Sequence, residues 1–475
     1  MSSNENDYCV HHDILRDFFS QKGEVFLNSV FHGGAYTFLL NRKSLSPLMI
    51  IDIRKYDSSF TATIYINEIE YTFSIFSLSR FIQEHDVYQI NINHLIWSQD
   101  LTGIINEIIL LIRDNALNLT VYIHDYYSVC PSTMLLDYKM EYCDVPSIDT
   151  CNKCLSQYCS SEKAFSFSKH EMCMSESIHA GSIYNWRILW ESLFDSAVTI
   201  IFPSRVAAVI WLKAFPRFSK KILILSHDLT YISRVQKHNH VKLDPFYQIF
   251  VLGNIDEHKG RQIIHGLLQL IKREKLNICI NVLGNYADTI FQNTPYLNLH
   301  GTYHHCDLPD ILNSKDIHCF LMPSIWPETF SYTTHEMMAT GLPIIAFDIG
   351  AQGKFVSDYS EGTVVDNISA DALFCSVRKK YNNYLRVLYP VLSMELASDI
   401  SVEVNRIVSE NINLQYLIKE DKLEQDIALR IAKDELNNAR NELFVKLNEL
   451  QGIYNSNSWR MTKPLRSIIR FMKKV

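Results

Sequence analysis

Apolar positions recur along this chain in two rhythms that take turns. From about residue 24 onward, short runs rich in β-branched and aromatic residues alternate with stretches whose apolar positions repeat at helical spacing. In the first half, LMIIDIR (48–54), TATIYI (61–66), VYQININ (87–93) and LTVYIHD (119–125) read as strands, and LTGIINEIILLIRDNAL (101–117) as an amphipathic helix leading into the last of them. The second half repeats the alternation more cleanly. YQIFVLGNI (247–255), NICINVLGNY (277–286), IHCFLMPS (317–324) and PIIAFD (343–348) are strands, separated by helices over 261–275 and 308–315. Strands spaced by helices of this length imply parallel βαβ units, so the predicted fold is α/β: two doubly wound, Rossmann-like domains in tandem with a cleft between them. The aperiodic stretch 224–246 reads as a linker. The domains are therefore placed at 1–235, with a Cys-rich insertion over 130–175, and at 236–395. A charge-rich helical tail follows over 396–475.

The tail adds two features. Leu429, Ala432, Leu436, Ala439, Leu443, Leu447, Leu450 and Tyr454 recur at three- and four-residue steps, as in a short coiled coil that would pair two copies or pack on its own protein. Beyond it, Trp459, Met461, Leu465, Ile468, Ile469 and Met472 can share one helix face opposite Arg and Lys, an arrangement suited to an anionic membrane surface or to the protein's own acidic surface.

Charge sharpens that picture. The net charge is −7 over 475 residues, which argues against nucleic acid as a partner, whereas the last 17 residues hold six Lys or Arg and no acid. The N-terminal MSSNENDYCV lacks the basic and apolar segments of a signal peptide, and no uncharged apolar run approaches a spanning helix. The expected compartment is the cytoplasm, at the inner face of the membrane if the tail engages lipid. There, 11 cysteines are expected as thiols or metal ligands rather than disulfides.

In tandem doubly wound domains, ligands bind beyond the carboxyl ends of the strands. Gly253 follows a strand directly and Lys259-Gly260 opens a helix, so the backbone can approach a ligand and a helix start beside a lysine can attract phosphate. A turn with an exposed lysine is the plain alternative. Further on, SIWPETFSYTTHEMMATGLPIIAFDIGA (324–351) holds Glu328 just after Pro327 and Glu336 within a short helix.

These segments, with VLGNY (282–286) and LHGTYHHCDLPDIL (299–312), resemble the nucleotide-sugar half of retaining group 1 glycosyltransferases, specifically the branch found in O-antigen, rhamnan and capsule gene products. YIHDYYSVCPSTMLLDYKMEYC (122–143) followed by CNKC (151–154) is similar to that branch's acceptor-side segment. The resemblance implies a GT-B architecture with a nucleoside diphosphate sugar bound by the C-terminal domain and a glycan or lipid-linked glycan as acceptor. It implies that Glu328 reaches donor-sugar hydroxyls and Glu336 the nucleotide ribose, with no cofactor needed for catalysis. A carboxylate can accept two hydroxyl hydrogen bonds, which matches a vicinal diol. The helix opening at FSYTTHEMMA leaves free amides near Phe330, Ser331 and Tyr332 to face the diphosphate.

Many relatives carry Arg where this chain has Asn254, so Lys259 alone supplies formal charge at that loop. In the first half, Gly33 and Gly34 of HGGA look like a reduced version of the family's cleft-lining glycine loop. His124 and Asp125 end a strand, and the resemblance places a residue near here against the donor sugar, where they would orient groups and stabilise positive charge. Cys130, Cys143, Cys151 and Cys154 can supply four sulfurs to a structural zinc, with buried free thiols as the other reading.

The expected function is transfer of a sugar with retention in bacterial surface polysaccharide synthesis. Its rivals are a catalytically weak nucleotide-sugar-binding scaffold and an epimerase of the same architecture.

Overall fold

The computed structural model describes residues 14–388, except 44, 55–59, 67–68, 76, 86, 97–100, 159–181, 239–245 and 287–293. The coiled-coil and basic-tail expectations fall on residues outside this range. Among the described residues, no helix is long and apolar enough to cross a membrane.

Two sheets form, each with its own core. The first contains β1 (Glu24–Asn28), β2 (Leu48–Asp52), β3 (Phe60–Ile66), β4 (Ile69–Ile75), β5 (Gln89–Ile92), β6 (Asn118–Tyr122), β7 (Thr199–Phe202) and β8 (Ile222–Ile224). Its order is β4-β3-β2-β1-β5-β6-β7-β8. Seven of these strands point the same way, and β3 alone runs against them, pairing antiparallel with both β2 and β4. TATIYI is thus a strand, as the alternation predicts, but it belongs to a hairpin and not to a βαβ unit. Only two residues separate β3 from β4, which is too short for a crossover.

The second sheet is parallel throughout. β9 (Tyr247–Leu252), β10 (Ile278–Leu283), β11 (Leu297–Gly301), β12 (Cys319–Met322), β13 (Ile344–Phe347) and β14 (Gly362–Val365) run in the order β11-β10-β9-β12-β13-β14. This is the doubly wound Rossmann order. Its four central strands are buried almost throughout because both faces are covered. Ile249 and Val251 join a core with α7 (Arg261–Arg273) and α11 (Ala370–Leu388). Phe250 and Leu252 point the other way, into a core with α8 (Leu308–Ser314), α9 (Tyr332–Ala339) and α10 (Gly350–Asp358). The period-2 alternation of a strand thereby builds two cores from one segment.

In each sheet the chain reverses its winding direction at one place: between β1 and β5 in the first, and between β9 and β12 in the second. Crevices at such switch points are where open α/β sheets hold ligands. The strand ends found there are Asn28–Ser29 and Asn93–His94 in one sheet, and Gly253 and Pro323–Ser324 in the other.

The two units touch through directed bonds. Ser204, just beyond β7, donates from its hydroxyl to the Thr329 carbonyl at 2.7 Å. Thr329 in turn donates to the His124 carbonyl at 2.7 Å.

Candidate active site

The glycine loop closes tightly on β12. Gly260 has φ +86°, and a Cβ there would lie 2.0 Å from the Pro323 carbonyl oxygen, so only glycine lets α7 start at this point. This packing holds Lys259 beside the loop that follows β12. Its ammonium meets Glu328 Oε1 at 2.5 Å and lies 5.7 Å from the centroid of the Trp326 ring. Asn254 uses its side-chain oxygen to accept the Asn285 N–H, which ties the ends of β9 and β10 together. At Gly253, φ is +95° and the nearest side chain is Thr333 on α9.

Glu328 is buried and its loop is fixed from behind. Gln352, itself fully buried, accepts the Glu328 N–H at 3.0 Å and donates to the Trp326 carbonyl at 2.7 Å. The Glu328 carbonyl accepts the Ala351 N–H. Sequence reasoning did not single out Gln352; its signal would have been a glutamine inside an otherwise small-residue helix start.

The free helix start lies two residues later than expected. α9 begins at Tyr332, and Ser331 precedes it at φ +66°, a left-handed conformation unusual for a residue other than glycine. Its hydroxyl bonds with that of Thr334 at 2.8 Å. The unpaired first-turn amides therefore belong to Tyr332, Thr333 and Thr334 rather than to Phe330 and Ser331. Such groups, with the dipole behind them, suit an anion.

Glu336 sits further along α9, 1% exposed. The Tyr231 hydroxyl donates to its Oε1 at 2.6 Å, and His305 Nδ1 stands 3.5 Å from the same oxygen. Oε2 is buried without a hydrogen-bond partner. Burial pushes this carboxyl up to about 7, against the downward pull of the Tyr231 bond.

Across the interface, the first sheet presents its switch point. Asn28 donates to the Val30 carbonyl and accepts from Asn93, whose own side-chain oxygen is 2.8 Å from His124 Nε2. Because that Asn93 oxygen only accepts, Nε2 of His124 carries the proton and Nδ1 keeps a lone pair, which is buried and unpartnered. Burial, followed by the nearby His227 and His94, lowers the His124 pKa well below the usual histidine range. The ring is thus neutral, with a bare Nδ1 lone pair able to accept a hydrogen bond. Asp125 is committed elsewhere. His94 accepts the Ile96 N–H on Nδ1, so its Nε2–H points at Asp125 Oδ2, 2.6 Å away, while Asp125 Oδ1 accepts the Tyr127 N–H. These bonds shape the turn after β6.

Gly33 opens α1 (Gly33–Arg42) at φ +70°, and Gly34 comes closest to the Tyr332 ring, so the HGGA turn faces the start of α9. Between them stands His227, with ring centroids 4.9 Å from Phe38, 5.4 Å from His124, 4.5 Å from Phe330 and 5.2 Å from Tyr332. Burial pushes its pKa down to about 3, with a further push from His335. Both His227 and Tyr231 come from the segment read as a plain linker. These two side chains face partners distant in sequence, which local periodicity does not record.

The four cysteines gather away from this interface. Cys130, Cys143, Cys151 and Cys154 are free thiols near enough to act on one another's charge, and Arg187 donates to Cys151 Sγ at 3.7 Å. Among the described residues, no three His, Cys, Asp or Glu side chains are grouped to hold a metal ion. The sulfurs are neighbours without forming a coordination set.

Residues 234–386 match the family model described as glycosyl transferases group 1. This region is similar to that family. It contains Gly253, Lys259, Glu328 and Glu336, while His124 and the HGGA turn lie outside it. The chain also resembles solved structures at low identity. Anabaena Alr3699/HepE in complex with UDP and glucose is 13% identical, with 82% of this chain and 98% of that chain covered and a TM-score of 0.47. The catalytic domain of starch synthase IV from Arabidopsis thaliana bound to ADP and acarbose is 10% identical, with 81% and 94% covered and a TM-score of 0.47. A glycosyltransferase from Rickettsia africae is 14% identical, with 88% and 99% covered and a TM-score of 0.44. No curated protein matches the chain.

Proposed function

We propose that the protein is a retaining glycosyltransferase that moves a sugar from a nucleoside diphosphate sugar to a glycan or lipid-linked glycan in bacterial surface polysaccharide synthesis. The observation that carries this reading is the pair of buried carboxylates, Glu328 and Glu336, on either side of the open start of α9 within the region similar to the group 1 family. Glu328 would hold donor-sugar hydroxyls and Glu336 the ribose. The amides of Tyr332 to Thr334, with Lys259, would take the diphosphate.

Chemistry follows from these positions. In a front-face transfer, the acceptor oxygen bonds to the anomeric carbon as the bond to the leaving phosphate breaks on the same side. The acceptor proton passes to a phosphate oxygen. Lys259 meets the charge that grows on that phosphate, while its contact with Glu328 ties the sugar end to the leaving-group end. His124, neutral with Nδ1 bare, would accept one sugar hydroxyl and orient the ring. The same reading keeps two further proposals: a structural zinc on Cys130, Cys143, Cys151 and Cys154, and peripheral attachment through the basic tail. The sequence spacing of the four cysteines supports the first, and the apolar and basic pattern of the tail supports the second.

The test is a panel of nucleoside diphosphate sugars, scored for release of nucleoside diphosphate with and without lipid-linked acceptor. One donor should turn over only with acceptor, and the product should keep the anomeric configuration of the donor. Epimerised donor without acceptor, or binding without release, would favour the rivals instead. Glu328→Gln should lower kcat about 10- to 100-fold, and Glu336→Ala should raise KM by a similar factor, as expected for loss of a charged hydrogen bond. Deleting residues 456–475 should abolish sedimentation with anionic vesicles and spare turnover of soluble acceptors. Continued sedimentation would remove the membrane claim.

A further inference from the structure

The two oxygens of Glu336 are not equivalent. Both protein neighbours sit on one of them: the Tyr231 hydroxyl at 2.6 Å and His305 Nδ1 at 3.5 Å are measured to Oε1. The other oxygen, Oε2, is buried and has no partner. A buried carboxylate oxygen left unpaired is costly, so Oε2 is the place where a ligand hydroxyl gains most. Tyr231 is itself held firmly. Its ring lies with its centroid 3.9 Å from that of His305, and it belongs to the short helical turn Thr230–Arg234 in the segment joining the two sheets.

Resting on the donor reading above, we propose that Tyr231 is a positioning residue that occupies Oε1 of Glu336, so that the site recognises the nucleotide through one ribose hydroxyl, on Oε2, and not through the vicinal diol. A carboxylate with both oxygens open would bridge the 2′- and 3′-hydroxyls and reject a sugar lacking either. Here the Tyr231 hydroxyl and the His305 ring both crowd Oε1, so Oε2 alone is left to a ligand and needs only one of them. The site's substrate class therefore includes nucleoside diphosphates that lack the other hydroxyl, deoxyribonucleotides among them if the recognised group is the 3′-hydroxyl.

The test uses the full chain and isothermal titration with uridine, adenosine and guanosine diphosphates, each also in its 2′-deoxy and 3′-deoxy form. For a diphosphate that binds, one deoxy form should bind at least about tenfold more weakly, the loss of a hydrogen bond to a charged group, and the other within about threefold. Tyr231→Phe opens Oε1 and should narrow the difference between the two deoxy forms. Equal losses for both in the wild-type protein would overturn the inference, as would an unchanged ratio in a Tyr231→Phe variant with a wild-type melting temperature. The wild-type comparison stands even if the variant does not fold. Failure of every diphosphate to bind would bring down the donor reading and this inference together, whereas binding with symmetric losses would remove this inference alone.

Discussion

Glu336 answers to two opposite demands. Its carboxyl, raised by burial to about 7 from an ordinary 4.5, must be ionised to accept a ligand hydroxyl well. The groups facing it, Tyr231, Tyr303, Tyr332 and His305, bring no positive charge: burial raises the phenols and lowers the histidine. Donor affinity should therefore fall as pH drops below about 7, approaching tenfold per unit, and calorimetric titration between pH 5.5 and 8 would check it. Stability should run the other way. Between 4.5 and about 7 the folded chain holds a proton that the unfolded chain has released, so stability declines as pH rises through that window. Glu336→Gln should remove both trends, leaving a variant whose stability relative to wild type improves by a few kcal/mol from pH 4.5 to 8, measured by denaturant melts. A wild-type affinity that stayed flat across this range would show that Glu336 does not hold the nucleotide.

At the scale of elements, what was legible in the sequence divides by how local the cause is. β9, β10, β12 and β13 could be read because burial on both faces leaves unbroken apolar runs. The pair Glu328 and Glu336 could be read because a proline and a helix start frame it. β4 and the antiparallel course of β3 were missed, although IEYTFSI alternates strictly, because alternation marks a strand without giving its direction or its partner. The roles of Tyr231, His227 and Gln352 were not legible either. Each depends on a partner 24 to 105 positions away in the chain, or on the far side of the interface, and no periodicity records such a pairing. The cysteine segment is an intermediate case, because the spacing is visible and the ligand geometry is not. Burial pushes Cys143 up to about 12 and Cys154 to about 11. In native protein at pH 8, alkylation should accordingly label exposed Cys306 and Cys375 at least tenfold faster than these two. The zinc proposal requires about one zinc per chain by metal analysis after purification without added metal. Less than a tenth of an equivalent would leave four free thiols.

For the molecule as a whole, the loop that carries Glu328 is also the fastening between the halves. Thr329 accepts from Ser204 and donates to residue 124, so the sugar end of the site takes shape where the two sheets meet. The nucleotide end, around Glu336 and Tyr231, belongs to the second sheet and the connecting segment. Thr329→Val, which removes the hydroxyl's bond to the His124 carbonyl and keeps the carbonyl that Ser204 meets, should then lower kcat about tenfold, with nucleoside diphosphate affinity within about threefold of wild type. Parallel loss of both would mean that the loop, not the fastening, had failed.

The fastening meets the carbonyl of His124 and never its ring. Any residue at that position can hold the two halves together, so the imidazole could be exchanged over generations without undoing closure. Position 124 is in that sense a replaceable tool on a fixed handle. A change in the sugars this protein handles could begin there with the assembled shape intact.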